Sequence, residues 1–302
     1  MLMYFLVACI LGIAINDYKP ELHDLNSETF LFSQYEWGGV GRTYSSRWVT
    51  MISPSYFISS THFFPHTQES VDFKVDGITY QYMIDELRFP LYTEDASGNL
   101  KPSDLMIGRL TEETNLPYYQ IAGDFSLQND LIGVGVPLKA GTNRVEKIYG
   151  YARGSSDGEN FYTMVASYKY DDIPNEFYFL SRDSGAPTFL PTKGALELVG
   201  IHYWSGGLPV RFGAQCGDSY VPYYKDQIFN LEIPGDFEVD HIVDSKDLDK
   251  IRSRWGVYGS EELDIIRSEW GRTGPGYTKS VPEPNIFSIF LLFLLCLLRR
   301  RI

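Results

Sequence analysis

The chain reads as an all-β protein, and two observations lead there. Its interior breaks into short runs rich in Val, Ile, Tyr and Phe, bounded by Gly, Pro, Asn or Asp. Aromatics make up 15% of the 302 residues, with 22 Tyr and 19 Phe, side chains that suit a half-buried pleated surface. Strand-length runs at that density predict a barrel or sandwich. A chain of 302 residues has room for about two domains.

Taken in order, the runs carry chemistry at their ends. Tyr56-Phe57-Ile58-Ser59-Ser60-Thr61-His62-Phe63 is an apolar strand that finishes in small residues and then a histidine. An imidazole there sits at a strand end facing a cleft. The stretch VDFKVDGITYQYMI, residues 71–84, follows as strand, turn, strand. Ser103-Asp104-Leu105-Met106-Ile107-Gly108-Arg109-Leu110 then sets an aspartate just ahead of another strand pattern. LIGVGVPL, KIYGYAR and FYTMVASYKY continue the strand series. Ser181-Arg182-Asp183-Ser184-Gly185-Ala186-Pro187 places a hydroxyl between an acid and a glycine in a tight turn, and LELVGIHYW, residues 196–204, is a last long apolar run.

A serine hydroxyl is a weak nucleophile at neutral pH and needs an adjacent base, itself oriented by a third group. His62 and Asp104 are the candidates for base and orienting acid, and Ser184 for the nucleophile. The chain order is His, Asp, Ser, with 42 residues between the first two and 80 between the last two. That order distinguishes one protease architecture from subtilisins and α/β-hydrolases, which use others.

With these residues in view, the chain resembles the trypsin/chymotrypsin family. ISSTHF is similar to its TAAHC block, SDLMIGRL to its D-[IL]-A-L-L-x-L block, RDSGAP to GDSGGP, and Leu198-Val199-Gly200-Ile201-His202-Tyr203-Trp204-Ser205-Gly206 to LVGIVSWG. The resemblance implies a chymotrypsin-like double antiparallel β-barrel over residues 30–232, the barrels spanning about 30–125 and 126–232, with the triad in the crevice between them. It implies peptide or protein substrates, an acyl-enzyme at Ser184 and no required cofactor. The oxyanion hole falls to the backbone N–H groups of Ser184 and Arg182, where Arg182 departs from the family glycine. Asp183 matches the aspartate that pairs with a newly cut N-terminal amine in activated enzymes, yet no Arg or Lys followed by an Ile-Val-Gly-Gly-like start occurs at residues 37–42. Tyr178, six before the nucleophile, replaces a pocket-base aspartate, so a preference for Arg or Lys is not supported. Tyr203, Trp204 and Ser205 fall on the cleft wall, and Ser205 in place of a glycine narrows the slot toward small or apolar side chains. His202 reads as strand packing and His66 as a loop residue.

A formal net charge of −13 and a pI near 4.8 argue against a nucleic-acid binder, which needs a basic face. Three cysteines, Cys9, Cys216 and Cys296, are too few for a disulfide framework. Cys216, alone in the globular part, reads as a small buried hydrophobe.

Both ends carry address signals. Met3 to Ile15 form an apolar run ending in Gly12-Ile13-Ala14, acceptable to signal peptidase although no basic n-region precedes it, so residues 1–15 read as a signal peptide. Leu6-Val7-Ala8-Cys9 also resembles a lipobox, but apolar residues continue past Cys9, which suits a hydrophobic core better. At the other end, Val281-Pro282-Glu283-Pro284 precedes an apolar run from Ile286 to Leu298 and then Arg299-Arg300-Arg301. Such a run spans about 20 Å as a helix, marginal against a bilayer core of about 30 Å. The arginines would hold that end in the cytoplasm and leave the body outside. Residues 281–302 resemble the PEP-CTERM sorting signal, which implies an exosortase partner, a membrane-held tail and delivery to the cell surface. An ordinary short tail anchor is the alternative, with the same orientation.

Between body and tail, in residues 233–277, Asp247-Leu248-Asp249-Lys250-Ile251-Arg252-Ser253-Arg254-Trp255-Gly256 recurs fifteen residues later as Glu262-Leu263-Asp264-Ile265-Ile266-Arg267-Ser268-Glu269-Trp270-Gly271. Leu, Ile and Trp at i, i+3 and i+7 predict two short amphipathic helices stopped by glycine. Asp236, Glu238, Asp240, Asp244 and Asp247 occupy positions 1, 3, 5, 9 and 12 of an EF-hand-like loop, and the segment resembles a dockerin-type repeat. His241 where the loop wants glycine, and aspartate where it wants glutamate, favour a degenerate metal-free spacer over a weak Ca2+ site.

Overall fold

The computed structural model describes residues 12–123, 125–154, 160–180, 182–206, 212–232 and 243–253, with 263, 264, 266, 267 and 270. The chain divides into two compact units, Met1–Lys225 and Asp226–Ile302.

The first unit opens with β1 (Ala14–Ile15) and a single turn, α1 (Pro20–His23). A closed barrel follows, built from β2 (Val40–Thr43), β3 (Trp48–Met51), β4 (Tyr56–Ser60), β5 (Ser70–Val75), β6 (Ile78–Glu94) and β7 (Leu100–Leu110) in the order β2-β3-β4-β7-β6-β5. All its pairings are antiparallel. β5 shows why: Val71 and Phe73 are buried while Asp72 and Lys74 are exposed, the period-two alternation of a strand with one wet face. In β6 the register breaks between Pro90 and Tyr92, since proline has no N–H for the ladder and is tolerated at such irregularities.

The barrel interior is filled by Val49, Met51, Phe57, Phe64, Val71, Phe73, Ile84, Leu110 and Leu116. Each such side chain contributes roughly 1.5–3 kcal/mol on burial. Phe57 is seated by an absence: a Cβ on Gly108 of β7 would lie 2.3 Å from its Cζ. Any larger residue at 108 forces the ring out of the core.

The second sheet of this unit comprises β8 (Gln120–Ile121), β9 (Leu131–Gly135), β10 (Lys139–Asn143), β11 (Val145–Gly154), β12 (Asn160–Lys169), β14 (Pro187–Pro191), β15 (Leu196–Ser205) and β16 (Gln215–Tyr220). A short β13 (Phe177–Tyr178) pairs with β1. The main path runs β10-β9-β14-β15-β16-β12-β11, and β8 joins β15 in parallel. The two strands at the ends of that path, β10 and β11, are separated in the chain only by Arg144. A path that starts and finishes on one continuous stretch of backbone returns on itself, so this sheet also curls into a barrel. The protein is therefore all-β with two antiparallel barrels side by side. The core of the second includes Leu131, Val134, Val165, Phe177, Phe179, Phe189, Leu198 and Ile201, all buried.

Residues 13–15, assigned to the leader on sequence grounds, belong to the fold: Ile13 is buried, and Ala14 and Ile15 pair with Tyr178 and Phe177. Residues 1–11 lie outside the described residues, as do Cys9 and Cys296. Cys216 is a free, buried thiol whose pKa is pushed well up by burial.

In the second unit, α2 (Lys225–Glu232) begins at the boundary and α3 (Ser245–Ser253) takes in residues 247–253 of the first repeat copy, the rest of which lies outside the described residues. Val243, Leu248, Leu263 and Ile266 form a small core, with Trp270 packed against it. The equivalent leucines of the two copies thus meet inside. The tail, residues 281–302, lies outside the described residues; among the described residues no helix is long and apolar enough to cross a membrane.

Candidate active site

His62 sits where β4 runs out. Ser59 and Ser60 close the strand in buried positions, and the 3-10 turn Thr61–Phe63 swings the imidazole to the surface, leaving its side chain 24% exposed. Ser60 of β4 pairs with Leu105 of β7, so Asp104 lies beside the same strand end. Both Asp104 oxygens serve the histidine: Oδ1 accepts the His62 backbone N–H at 2.8 Å, and Oδ2 lies 2.7 Å from Nδ1. A buried carboxylate can only accept, so Nδ1 carries the hydrogen and Nε2 is left as the basic nitrogen. Nε2 lies 2.9 Å from Ser184 Oγ. The Asp104 N–H donates to Thr163 Oγ1 of β12 at 2.7 Å, tying the acid to the other barrel.

Ser184 is displayed on a turn between β13 and β14. The Asp183 N–H donates to the Leu180 carbonyl at 3.2 Å and the Ala186 N–H to the Asp183 carbonyl at 2.7 Å. Gly185 then meets the first barrel at φ +86°, where a Cβ would lie 2.9 Å from Ser59 Oγ and 3.3 Å from Ser60 Oγ. Only glycine fits both that conformation and that approach. The Ser184 turn is thus pressed against the strand that delivers His62.

The N–H groups of Arg182 and Ser184 make no hydrogen bond among the described residues. Two free donors two residues apart, beside the hydroxyl, are a fit for an oxygen that gains negative charge. Arg182 adopts φ +82°, a left-handed conformation that a non-glycine residue takes only at a cost, and its side chain is exposed.

Asp183 points away from this opening into the protein and is fully buried. Oδ1 accepts the Val136 N–H at 2.8 Å and Oδ2 the Leu180 N–H at 2.9 Å, and the Ile13 N–H also donates to the carboxylate. Burial outweighs these donors and the Arg42 guanidinium, and raises the carboxyl to a pKa of about 7. The partner that residues 37–42 failed to supply as an N-terminus comes instead from residue 13, with Arg42 acting at longer range. A contact between residues 170 positions apart leaves no local trace in the sequence.

The other candidates fall around the cleft. Tyr178 is fully buried, and its hydroxyl donates to the Gln215 carbonyl at 2.8 Å and accepts the Gly206 N–H at 2.9 Å. It bridges two chain segments and has no polar group left for substrate. The Tyr203 ring lies 6.1 Å from that of His62. Tyr151 packs edge-on against Tyr203 and stacks on Trp204 at 6.2 Å with 20° between planes, a residue the sequence reading did not single out. Trp204 and Ser205 are partly exposed. His66 is an exposed loop residue.

Of the proposed calcium ligands, Asp236, Glu238 and Asp240 lie outside the described residues. Asp244 and Asp247 instead cap α3 reciprocally: Asp244 Oδ1 accepts the Lys246 N–H at 2.7 Å, and Asp247 Oδ2 the Asp244 N–H at 2.8 Å. This is the capping-box arrangement with aspartate in the return position. No metal-holding cluster occurs among the described residues.

No family model matches the chain, and no curated protein matches it. Solved structures that it is similar to include the Rv3671c protease from M. tuberculosis in its active form, at 14% identity and TM-score 0.37 over 59% of this chain and 71% of that one. The inactive form of Rv3671c protease gives 14% identity and TM-score 0.41 over 61% and 83%. Neither likeness is close enough to carry an argument about this chain.

Proposed function

We propose that the protein is a serine endopeptidase that cleaves peptide bonds through an acyl-enzyme. The observation that supports this best is the 2.9 Å approach of His62 Nε2 to Ser184 Oγ, with Asp104 fixing the tautomer from behind. His62 takes the hydroxyl proton as Oγ attacks the carbonyl carbon, then returns it to the leaving amine. Asp104 orients the imidazole and stabilises its charged form without itself being protonated. The negative charge on the carbonyl oxygen is met by the N–H groups of Ser184 and Arg182. Water, activated by the same imidazole, releases the acyl group. No cofactor is required for these steps.

The apolar N-terminus and the Pro-Glu-Pro, apolar and triple-arginine tail support export, with sorting-machinery recognition of the tail and delivery to the cell surface. The repeat segment serves as a helical spacer between the two. A fluorophosphonate probe tests the chemistry: it labels the wild type and spares Ser184→Ala. Equal absence of label in both would replace the peptidase with a binding module that uses the same fold.

A further inference from the structure

Two arginines converge on the loop that follows His62. Arg47, in the turn between β2 and β3, donates from Nη1 to the Phe64 carbonyl and lies over the Phe63 ring, with Cζ 4.6 Å from its centroid. Arg88 of β6 donates from Nη2 to the Pro65 carbonyl at 3.1 Å and lies over the Phe64 ring at 5.2 Å. They come from different parts of the first barrel, yet they hold successive carbonyls, those of the second and third residues after His62. Arg88 is exposed and Arg47 half-buried.

The charge they bring is not balanced where they sit. Arg109, Arg144, Arg252 and Arg267 each face an aspartate, whereas neither Arg47 nor Arg88 has an ion-pair partner among the described residues. The neighbouring carboxylates are already engaged. Glu69 gives Oε1 to the Ser45 N–H at 2.8 Å and Oε2 to the His66 N–H at 3.2 Å, and Glu86, two residues before Arg88, accepts from Gln68 at 3.1 Å. Burial above all lowers the Arg47 pKa, with Glu69 opposing at a distance and the Arg88 charge adding to the fall, so the two guanidinium groups feel one another. Arg47 Nε is buried without a hydrogen-bond partner. Like charges held together with donors to spare, in a chain of net charge −13, suit a carboxylate brought from outside.

We propose that Arg47 and Arg88 form a subsite for an acidic side chain, Glu or Asp, on the leaving half of the substrate, two or three residues beyond the scissile bond. This rests on the peptidase reading. His62 hands its proton to the leaving amine, so the departing half starts at the imidazole and runs over the loop that follows it, while the Tyr203–Trp204 wall is left to the acyl half. An extended peptide advances about 3.3 Å per residue, and Phe64 and Pro65 are themselves two and three residues from His62, which sets the same reach in the substrate. A carboxylate there meets two forked donors; an ammonium meets two like charges.

The experiment uses the full chain and matched fluorogenic peptides with Glu, Gln or Lys placed in turn at each of the first four positions after the scissile bond. Active enzyme is counted by fluorophosphonate titration, whose probe carries no leaving peptide and so reports the folded triad independently of the subsite. Wild type is expected to favour Glu over Gln by about fivefold in kcat/KM at the second or third position, and to lose most of that preference in about 0.5 M salt. Arg88→Gln should label like wild type and cut the ratio to about twofold or less, and Arg47→Gln should lower it independently. Arg88→Glu should turn the preference toward Lys, a reversal that a mere clamp on the loop would not produce. A labelled wild type indifferent to charge at these positions overturns the inference, as does a preference for Glu that survives Arg88→Glu. An unlabelled wild type removes the peptidase reading and this one with it.

Discussion

Burial of Asp183 makes a stability prediction with a definite sign. Its carboxyl is raised from 3.8 to about 7, so the folded chain binds the proton more tightly than the unfolded chain. A group raised in this way contributes stability that is fully present below the unfolded pKa and is lost as pH rises through the folded one. The window is therefore pH 4 to 7, and a shift of about three units corresponds to about 4 kcal/mol at 1.36 kcal/mol per unit. The assay is urea unfolding of wild type and Asp183→Asn across pH 4 to 8. Subtracting the variant cancels the other carboxylates. The wild-type advantage should fall with slope near −1.4 kcal/mol per pH unit in that window and level off above it. The competing physics is specific: three N–H donors and Arg42 all favour the ionised form. A difference that stays flat, or that grows with pH, would mean that these donors win over desolvation, and would refute the reasoning.

Three further expectations concern the turn and the spacer. Arg182→Gly relieves a left-handed non-glycine at φ +82° but adds unfolded-state freedom; a net gain of about 0.5–1 kcal/mol is expected in the denaturant midpoint, with probe labelling retained because the N–H remains. A loss of stability would contradict it. Gly185→Ala places a Cβ 2.9 Å from Ser59 Oγ at φ +86°, so the variant should lose about 2 kcal/mol or more and label far more slowly; normal labelling would show that the turn is not pressed on β4 as described. Asp247→Ala removes half of the reciprocal cap of α3, and amide exchange in residues 244–253 should quicken by the equivalent of about 1 kcal/mol, whether or not calcium is present.

What the sequence disclosed and what it hid divide along chain distance. The strand series, the small-residue end of β4 before His62 and the Asp-Ser-Gly turn are local patterns, and each is readable from neighbours. The tie between Asp104 and Thr163 and the seat of Asp183 on Ile13 and Val136 join elements far apart in the chain, and nothing in the flanking residues announces them. Residues 13–15 show the limit of composition, because an apolar run reads the same whether it is a leader or a strand, as here where residues 14 and 15 pair with β13. Asp244 and Asp247 show the same ambiguity in polar residues. Spaced carboxylates suit a cation loop, but a Ser-Lys-Asp start to a helix is equally a cap, and the N–H groups at that helix start took both oxygens. Asp218 did leave a cue, a carboxylate in the middle of the buried strand QCGDSY, where only a partnered acid is tolerated.

The two histidine–aspartate pairs show why residue type alone does not assign a role. In both, a carboxylate holds Nδ1 and sets the tautomer, so both imidazoles present Nε2 as a base. His62 is 24% exposed and meets a hydroxyl at 2.9 Å, so its nitrogen can take a proton and hand it to a departing group. His202 is 2% exposed and lies on Phe179, so a charge there would be unsolvated. Exposure, rather than the pair itself, separates a group placed to move protons from one that packs the interior. Replacing either aspartate by asparagine disturbs the same tautomer, yet the consequence should differ in kind: lost turnover for Asp104, and lost stability for the buried Asp218 that Tyr168 and His202 share.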